Sequence, residues 1–364
     1  MNEFLHKISL KHITCSSFIT MPRREIFSKM ILHQVTCFKS FSPFLFCNSI
    51  IGYNEITGCS FSKYLNNCII TTNLESEMTS IVRNSRFVSI VSDNGAALLI
   101  KSGSFYQVQD CVFINCQVSG NGGAIYVVSQ NFNCTNCCFH LCNCGNSGKY
   151  GSSIIAQSNG AKKVSYSYCF MCPFSEPYPW HDQILLLNGD CYTNNVNTSH
   201  NHFLWNAGID HQSYSMSTSK FIYSSSNIGN NAIGFYFAQN VGFHGYFVLT
   251  NNTAQYSVIY TADTFIKVSN STFYKNTGPI SVIHFGSAGV SIEYCSFDVQ
   301  PTYGNGVTNT IGNTVNSPER TVVPITLLVS NVCEQTSECR VFTFRLIPRL
   351  SILATSFIPI SLLW

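Results

Sequence analysis

The stretch "GNGGAIYV", residues 120–127, follows closely on "DCVFINC", residues 110–116. Glycine clustered at 120, 122 and 123 can cradle a phosphate, or it can turn a corner before a strand. A nucleotide loop needs a strand, the glycines and then a helix whose N-terminus meets the phosphate, usually with a Lys-Ser/Thr pair. Here Ala124, Ile125, Tyr126 and Val127 follow, a strand-favouring run, and no such pair is present. The glycines read as a corner.

Working outward, a short phrase recurs in which an apolar residue is followed five positions later by Phe. Examples are Ile56 to Phe61, Val82 to Phe87, Val108 to Phe113, Val268 to Phe273 and Ile292 to Phe297. Phe61, Phe87, Phe113 and Phe139 are 26 residues apart, and the interval returns at Phe221, Phe247 and Phe273. Looser members stand at Phe18, Phe41, Phe170, Phe203 and Phe297. Each phrase is followed by a second apolar segment, among them "GAALLI" (95–100), "GAIYVV" (123–128), "SIIAQS" (153–158), "QILLLN" (183–188) and "SVIYTA" (257–262). Aligned on one another, these put Ala97, Ile125, Ile154, Ile184, Ile233, Ile259 and Ile283 in one column. Apolar residues at a period of two mark strands, and three-four helical spacing is largely missing before residue 300.

A unit of about 26 residues with short strands cannot bury its apolar face alone, so successive units must stack. The expected fold is all-β: a single-stranded, right-handed parallel β-helix of about twelve coils over residues 10–300, a rod on the order of 55 Å long. Asn84, Asp110, Asn136 and Asn270, three residues before a Phe, are types that tolerate left-handed bends. Cys59, Ser85, Cys111, Cys137, Ser271 and Cys295, two before it, should lie inside beside the aromatic stack.

"GGAIYV" and the Phe phrases together resemble the GGAI and FxxN repeats of the chlamydial polymorphic outer-membrane proteins, and similar β-helix surface proteins of parasitic protists. Gly122, Gly123, Ala124 and Ile125 match the first motif. "FYKN" (Phe273, Asn276) and "FLWN" (Phe203, Asn206) match the second, while "FINC" and "FHLC" put Cys116 and Cys142 where Asn would stand. The resemblance implies a surface adhesin or passenger domain. No autotransporter barrel follows in this chain, so that family's secretion route does not carry over.

Composition narrows the function. Charged residues are only 10% of the chain, and the net charge of +3 is no footprint for nucleic acid. The basic pairs at 23–24 and 162–163 read as solvated faces. Among the 18 cysteines, "CTNC" (134–137) and "CFMC" (169–172) could pair for a metal. The one-repeat spacing of Cys111 with Cys137, and of Cys116 with Cys142, is already explained by stacked buried thiols. Disulfides between coils are open if the compartment is oxidising. Asn133, Asn197, Asn251 and Asn270 begin N-x-S/T sequons, weak support for an exported context.

Some β-helices are polysaccharide lyases or hydrolases, which need clustered carboxylates. The chain has seven Asp and ten Glu, and the weak catalytic candidates are Asp182, Asp190 and Asp210, beside His181 and His211. An insertion at 173–182 could fold over them. Residues 301–320, "PTYGNGVTNTIGNTVNSPER", read as a linker, and 321–364 as an irregular, truncated apolar segment that could act as an anchor. "LSILATSFIPISLLW" is too short to span a bilayer and Pro359 interrupts it. The N-terminus lacks the pattern of a signal peptide. The expectation is a non-enzymatic interaction or adhesion module at the cell surface or outside the cell, with no cofactor or metal. Its partner would be a host-cell or extracellular protein or glycan, not nucleic acid, and membrane contact would run only through the C-terminal segment. A carbohydrate-active β-helix enzyme and a partial or decayed gene product are the alternatives.

Overall fold

The computed structural model describes residues 2–316, apart from short stretches at 7–8, 14–18, 22–25, 48–49, 73–78, 102–103, 145–150, 159, 173–184, 203–207, 213–215, 230–234, 239–240, 256, 263–264, 279–280, 286–288 and 302–306. Residues 317–364 lie outside the described part.

All regular structure among the described residues is β, and the strands pair in parallel with the equivalent strand of the next coil. One coil shows the plan: Thr79–Arg83 forms a first face, Arg86–Ser92 a second and Leu98–Lys101 a third. The next coil repeats it with Phe105–Gln109, Val112–Val118 and Ile125–Val128. Among the described residues eleven strands stack on the third face, where about twelve coils were expected. The first and second faces join into one 23-stranded sheet, because three strands, such as Ala161–Phe170, run unbroken through the corner between them.

The corner between first and second faces is a left-handed residue, as the sequence implied. Asn84, Asp110, Asn136 and Asn270 have φ of 49°, 53°, 53° and 49°. The corner before the third face belongs to glycine. Gly95, Gly122 and Gly151 lie one above another with φ of 53°, 68° and 68°. Gly123 answers a different need: a Cβ there would overlap the Ser152 carbonyl oxygen of the next coil. This corrects the third-face alignment. Gly95 pairs with Gly122 and not with Gly123, so Leu98, Ile125, Ile154, Leu185, Ile209, Phe235, Ile259 and Ile283 form the column. Ala97 stands one position early, and Ile184 and Ile233 lie outside the described residues.

The core runs up the inside of the coils. Phe61, Phe87, Phe113 and Phe139 occupy consecutive rungs, with ring centroids 5.5, 5.1 and 4.9 Å apart. Phe273 and Phe297 resume the stack at 4.8 Å. Between these runs Cys169, Thr198, Ser224 and Leu249 fill the column. The 26-residue interval at Phe221 and Phe247 is therefore a coincidence of spacing. Phe221 is a half-buried corner residue with φ 54°, and Phe247 sits in the corner column two positions earlier. Phe41 is 62% exposed, Phe170 is one position off, and Phe18 and Phe203 lie outside the described residues.

Two inward columns carry small polar groups that stitch coil to coil. In the first, Cys111 Sγ donates to Val82 O at 3.6 Å, Cys137 Sγ to Val108 O at 3.8 Å, and Ser85 Oγ accepts from Cys59 N at 3.2 Å. In the second, Asn201, Asn227 and Asn252, all buried, and the half-buried Asn276 form an amide ladder. Each Oδ1 accepts the N–H of the residue one coil below. Each Nδ2 donates to the carbonyl three residues before that, for example Asn227 Nδ2 to Thr198 O at 3.1 Å. Cys172, Cys142 and Cys116 continue the same column. Cys172 Sγ accepts from Cys142 N at 3.2 Å and donates to Phe139 O at 3.6 Å. Cysteine thus stands where the FxxN pattern has Asn, and does the same work.

Residues 307–316, within the expected linker, continue the solenoid. Val307–Ile311 and Thr314–Val315 pair with the coil below, with Gly312 at φ 64° making the corner. Inter-coil pairing overrides the loop-like Asn/Thr composition, and Asn313 Oδ1 accepts from Cys295 N at 2.8 Å. Asn2–His6 and Ser9–Ile13 likewise belong to the stack below residue 10.

Replacing Phe113 by Ala should cost about 3–5 kcal/mol in denaturant unfolding, because two stacked contacts and a buried ring are lost. Cys172→Asn should fold with stability within about 1 kcal/mol of the parent, whereas Cys172→Ala should lose about 1–3 kcal/mol by leaving the Cys142 N–H unpaired. Equal losses in the two Cys172 variants would refute the thiol-for-amide equivalence.

Candidate functional site

Of the three weak catalytic candidates, Asp182 lies outside the described residues. Asp190 opens a first-face strand and is half-buried. Asp210 sits on a third-face strand beside Leu186 and Tyr236 and is fully buried. Its Oδ2 accepts from Gln212 Nε2 at 2.9 Å, and burial raises its carboxyl to about 8. Asp190 and Asp210 do share a neighbourhood: both act electrostatically on the buried thiol of Cys191.

That neighbourhood holds a residue the sequence reading misplaced. Lys163 is exposed, but Lys162 points inward in the column of Phe132 and Cys191. Successive strand residues face opposite sides, so a basic pair in a strand cannot lie wholly in water. The period-two register from Val164, buried in the same strand, is the signal that could have found it. Lys162 Nζ donates to Gln130 O at 2.9 Å, Gly160 O at 3.0 Å and Ser158 Oγ at 3.2 Å. All three ammonium donors are satisfied, and burial lowers the group to about 8. Gln130, Asn131, Ser158 and Gly160 also line an open depression of about 460 Å³.

Inside the same coils the core turns polar. His211 Nδ1 lies 2.6 Å from Ser217 Oγ, and Thr193 Oγ1 donates to Ser219 Oγ at 2.7 Å. Burial lowers His211 to about 3 and His244 well below its ordinary value, so both rings are neutral. Cysteine chemistry is also muted. Burial pushes Cys59 to about 11 and Cys295 to about 12, and raises Cys111, Cys137, Cys142, Cys169 and Cys172 well above the usual thiol range. Nucleophilic thiolates form at lowered pKa, the opposite environment. Among the described residues no group of three or more His, Cys, Asp or Glu is placed to hold a metal ion.

The outer side of the first face is open to solvent. One outward column runs Gln107, Asn133, Lys163, Tyr192, Thr218 and Phe243. Beside it run Gln109, Thr135, Ser165, Asn194 and Lys220. Lys163 lies over the Tyr192 ring at 5.7 Å, and Lys220 over the Phe243 ring at 5.5 Å. No protein-family model, curated protein or solved structure matches this chain. No helix among the described residues is long and apolar enough to cross a membrane.

The buried groups set a pH profile. Folded Asp210 keeps a proton up to about pH 8 that the unfolded chain releases near 3.8, so this group's stabilisation is full below that range and lost as pH rises through it. His211 and His244 act oppositely: below 6.5 the unfolded chain takes up protons that the folded chain refuses, down to about 3 for His211, so stability rises with pH. Among the described residues these two imidazoles, with His200 acting in the same direction, outweigh the one carboxyl below about 6.5, and the carboxyl acts alone between 6.5 and 8. Maximum stability should fall near pH 6.5. Asp210→Asn should remove the decline between 6.5 and 8, at most about 1.4 kcal/mol per pH unit. Urea midpoints measured across pH 4–8 check this, and an unchanged decline in the variant would contradict it.

Proposed function

We propose that this β-helix is a non-enzymatic interaction module of the cell surface or extracellular space, and that the outer first face is its contact surface. The observation that carries the reading is the regularity of that face. Parallel stacking sets amide, hydroxyl and aromatic side chains in straight columns at a spacing of roughly 4.8 Å per coil. Such a surface offers repeated hydrogen-bonding groups and two aromatic platforms, Tyr192 and Phe243, each with a lysine over its ring. Aromatic residues concentrate binding energy at interfaces, and flat polar sheets suit extended partners such as glycans or protein strands. The resemblance to GGAI/FxxN surface proteins points the same way.

A carbohydrate-active enzyme is favoured less. Hydrolysis uses a pair of carboxyl groups that both reach substrate. Asp210 is fully buried, which leaves Asp190 as the one described candidate with partial access.

The purified protein should bind a panel of host-cell glycans and extracellular-matrix proteins. Substituting both Tyr192 and Phe243 by Ser should weaken that binding at least tenfold while leaving the thermal midpoint nearly unchanged. Depolymerisation of polyuronides by the parent protein, abolished by Asp190→Asn, would overturn the reading in favour of an enzyme.

A further inference from the structure

The outer sides of the two joined faces differ. On the second face Phe113 and Phe139 point inward, so Val112, Ile114, Cys138 and His140 point outward. Outward residues of a solenoid ordinarily meet solvent, as Lys163 and Asn194 do on the first face. These four are only 7%, 4%, 0% and 5% exposed. Val112, Ile114 and Cys138 form a separate apolar cluster, with Val88 and Tyr168 packed against it. The described strands make their extensive contacts with the rungs above and below, which cannot shield an outer side.

Cys138 identifies the cover. It is disulfide-bonded, while the fourteen other described cysteines remain thiols. The cysteines left in the chain are Cys15, Cys333 and Cys339. Cys15 is two residues beyond Ile13, which lies five rungs from the level of Cys138, about 24 Å along the axis. Two residues span at most roughly 7 Å, so Cys15 cannot reach. From Val315, at the other end of the second face, the level of Cys138 is seven rungs away, about 34 Å. The chain from Asn316 to Cys333 can extend to roughly 56 Å. Apart from 14–18, the internal stretches outside the described residues contain no cysteine.

We propose that the segment after Asn316 returns along the outer second face as a strap and is locked there by a disulfide from Cys138 to Cys333 or Cys339. Its apolar residues cover Val112 and Ile114. The bond forms by thiol–disulfide exchange: the two thiols lose two protons and two electrons to a small disulfide such as oxidised glutathione, which leaves as two thiols. The lock therefore closes in an oxidising compartment and opens in a reducing one. This inference stands on the second face and is independent of the proposed contact surface on the first.

The test uses the full chain, refolded in a glutathione redox buffer, alkylated and digested without reduction. Mass spectrometry should find a peptide joining Cys138 to Cys333 or Cys339. An alkylated Cys138, a link to Cys15 or a link between two chains would overturn the proposal. On the intact protein, reduction or Cys138→Ser should speed protease cleavage between residues 321 and 340 at least tenfold and raise hydroxyl-radical labelling of Tyr168. If cleavage and labelling both stay at the level of the oxidised parent, the strap is not what covers this face.

Discussion

Every part of this molecule depends on the inter-coil hydrogen bond. Once the backbone winds round and pairs in parallel with itself, each side chain is placed roughly 4.8 Å from its counterpart in the next coil. An inner column must then tolerate its own repetition. Phenylalanine does so by stacking nearly parallel, with the Phe87–Phe113 and Phe113–Phe139 planes within 4° and 3°. A charged residue could not repeat in this way, and Lys162 occurs once in its column, its donors satisfied by three oxygen acceptors.

The corners show how a chain with few charges keeps its buried backbone satisfied. At each bend the ladder would leave an N–H and a carbonyl without partners, and burying them so is costly. A short side chain with one acceptor and one donor repairs both. Asparagine, serine and cysteine all qualify, and the protein uses all three in equivalent positions. This accounts for seven of the 18 cysteines without metal or catalysis. The thiols are structural donors in a dry interior, and their raised pKa values follow from that burial.

The middle coils, with His211, His244, Thr193 and Ser219 inside, break the aromatic stack and carry the groups whose ionisation opposes folding at either end of the pH range. The irregular spacing of Phe in that region was the visible trace of a polar core. The trace was legible as irregularity, and Asp190 and Asp210 were legible as neighbours. That Asp210 is sealed from solvent was not, because a strand residue's exposure is set by contacts that exist only in the wound chain.

The 26-residue recurrence, the left-handed Asn and Asp corners, the small inner residues before each Phe and the Cys-for-Asn exchange were all determined by the sequence alone. Each is a local pattern repeated at the period of one coil. Register was not, since "GG" in one coil faces a single glycine in the next, and only the pairing of Leu98 with Ile125 and Ile154 shows which glycine turns. Nor was the fate of Lys162, of Phe221 or of Cys138. Whether a strand residue faces the core, the solvent or a covered outer wall depends on contacts between coils and between faces, and those exist only when the chain is wound.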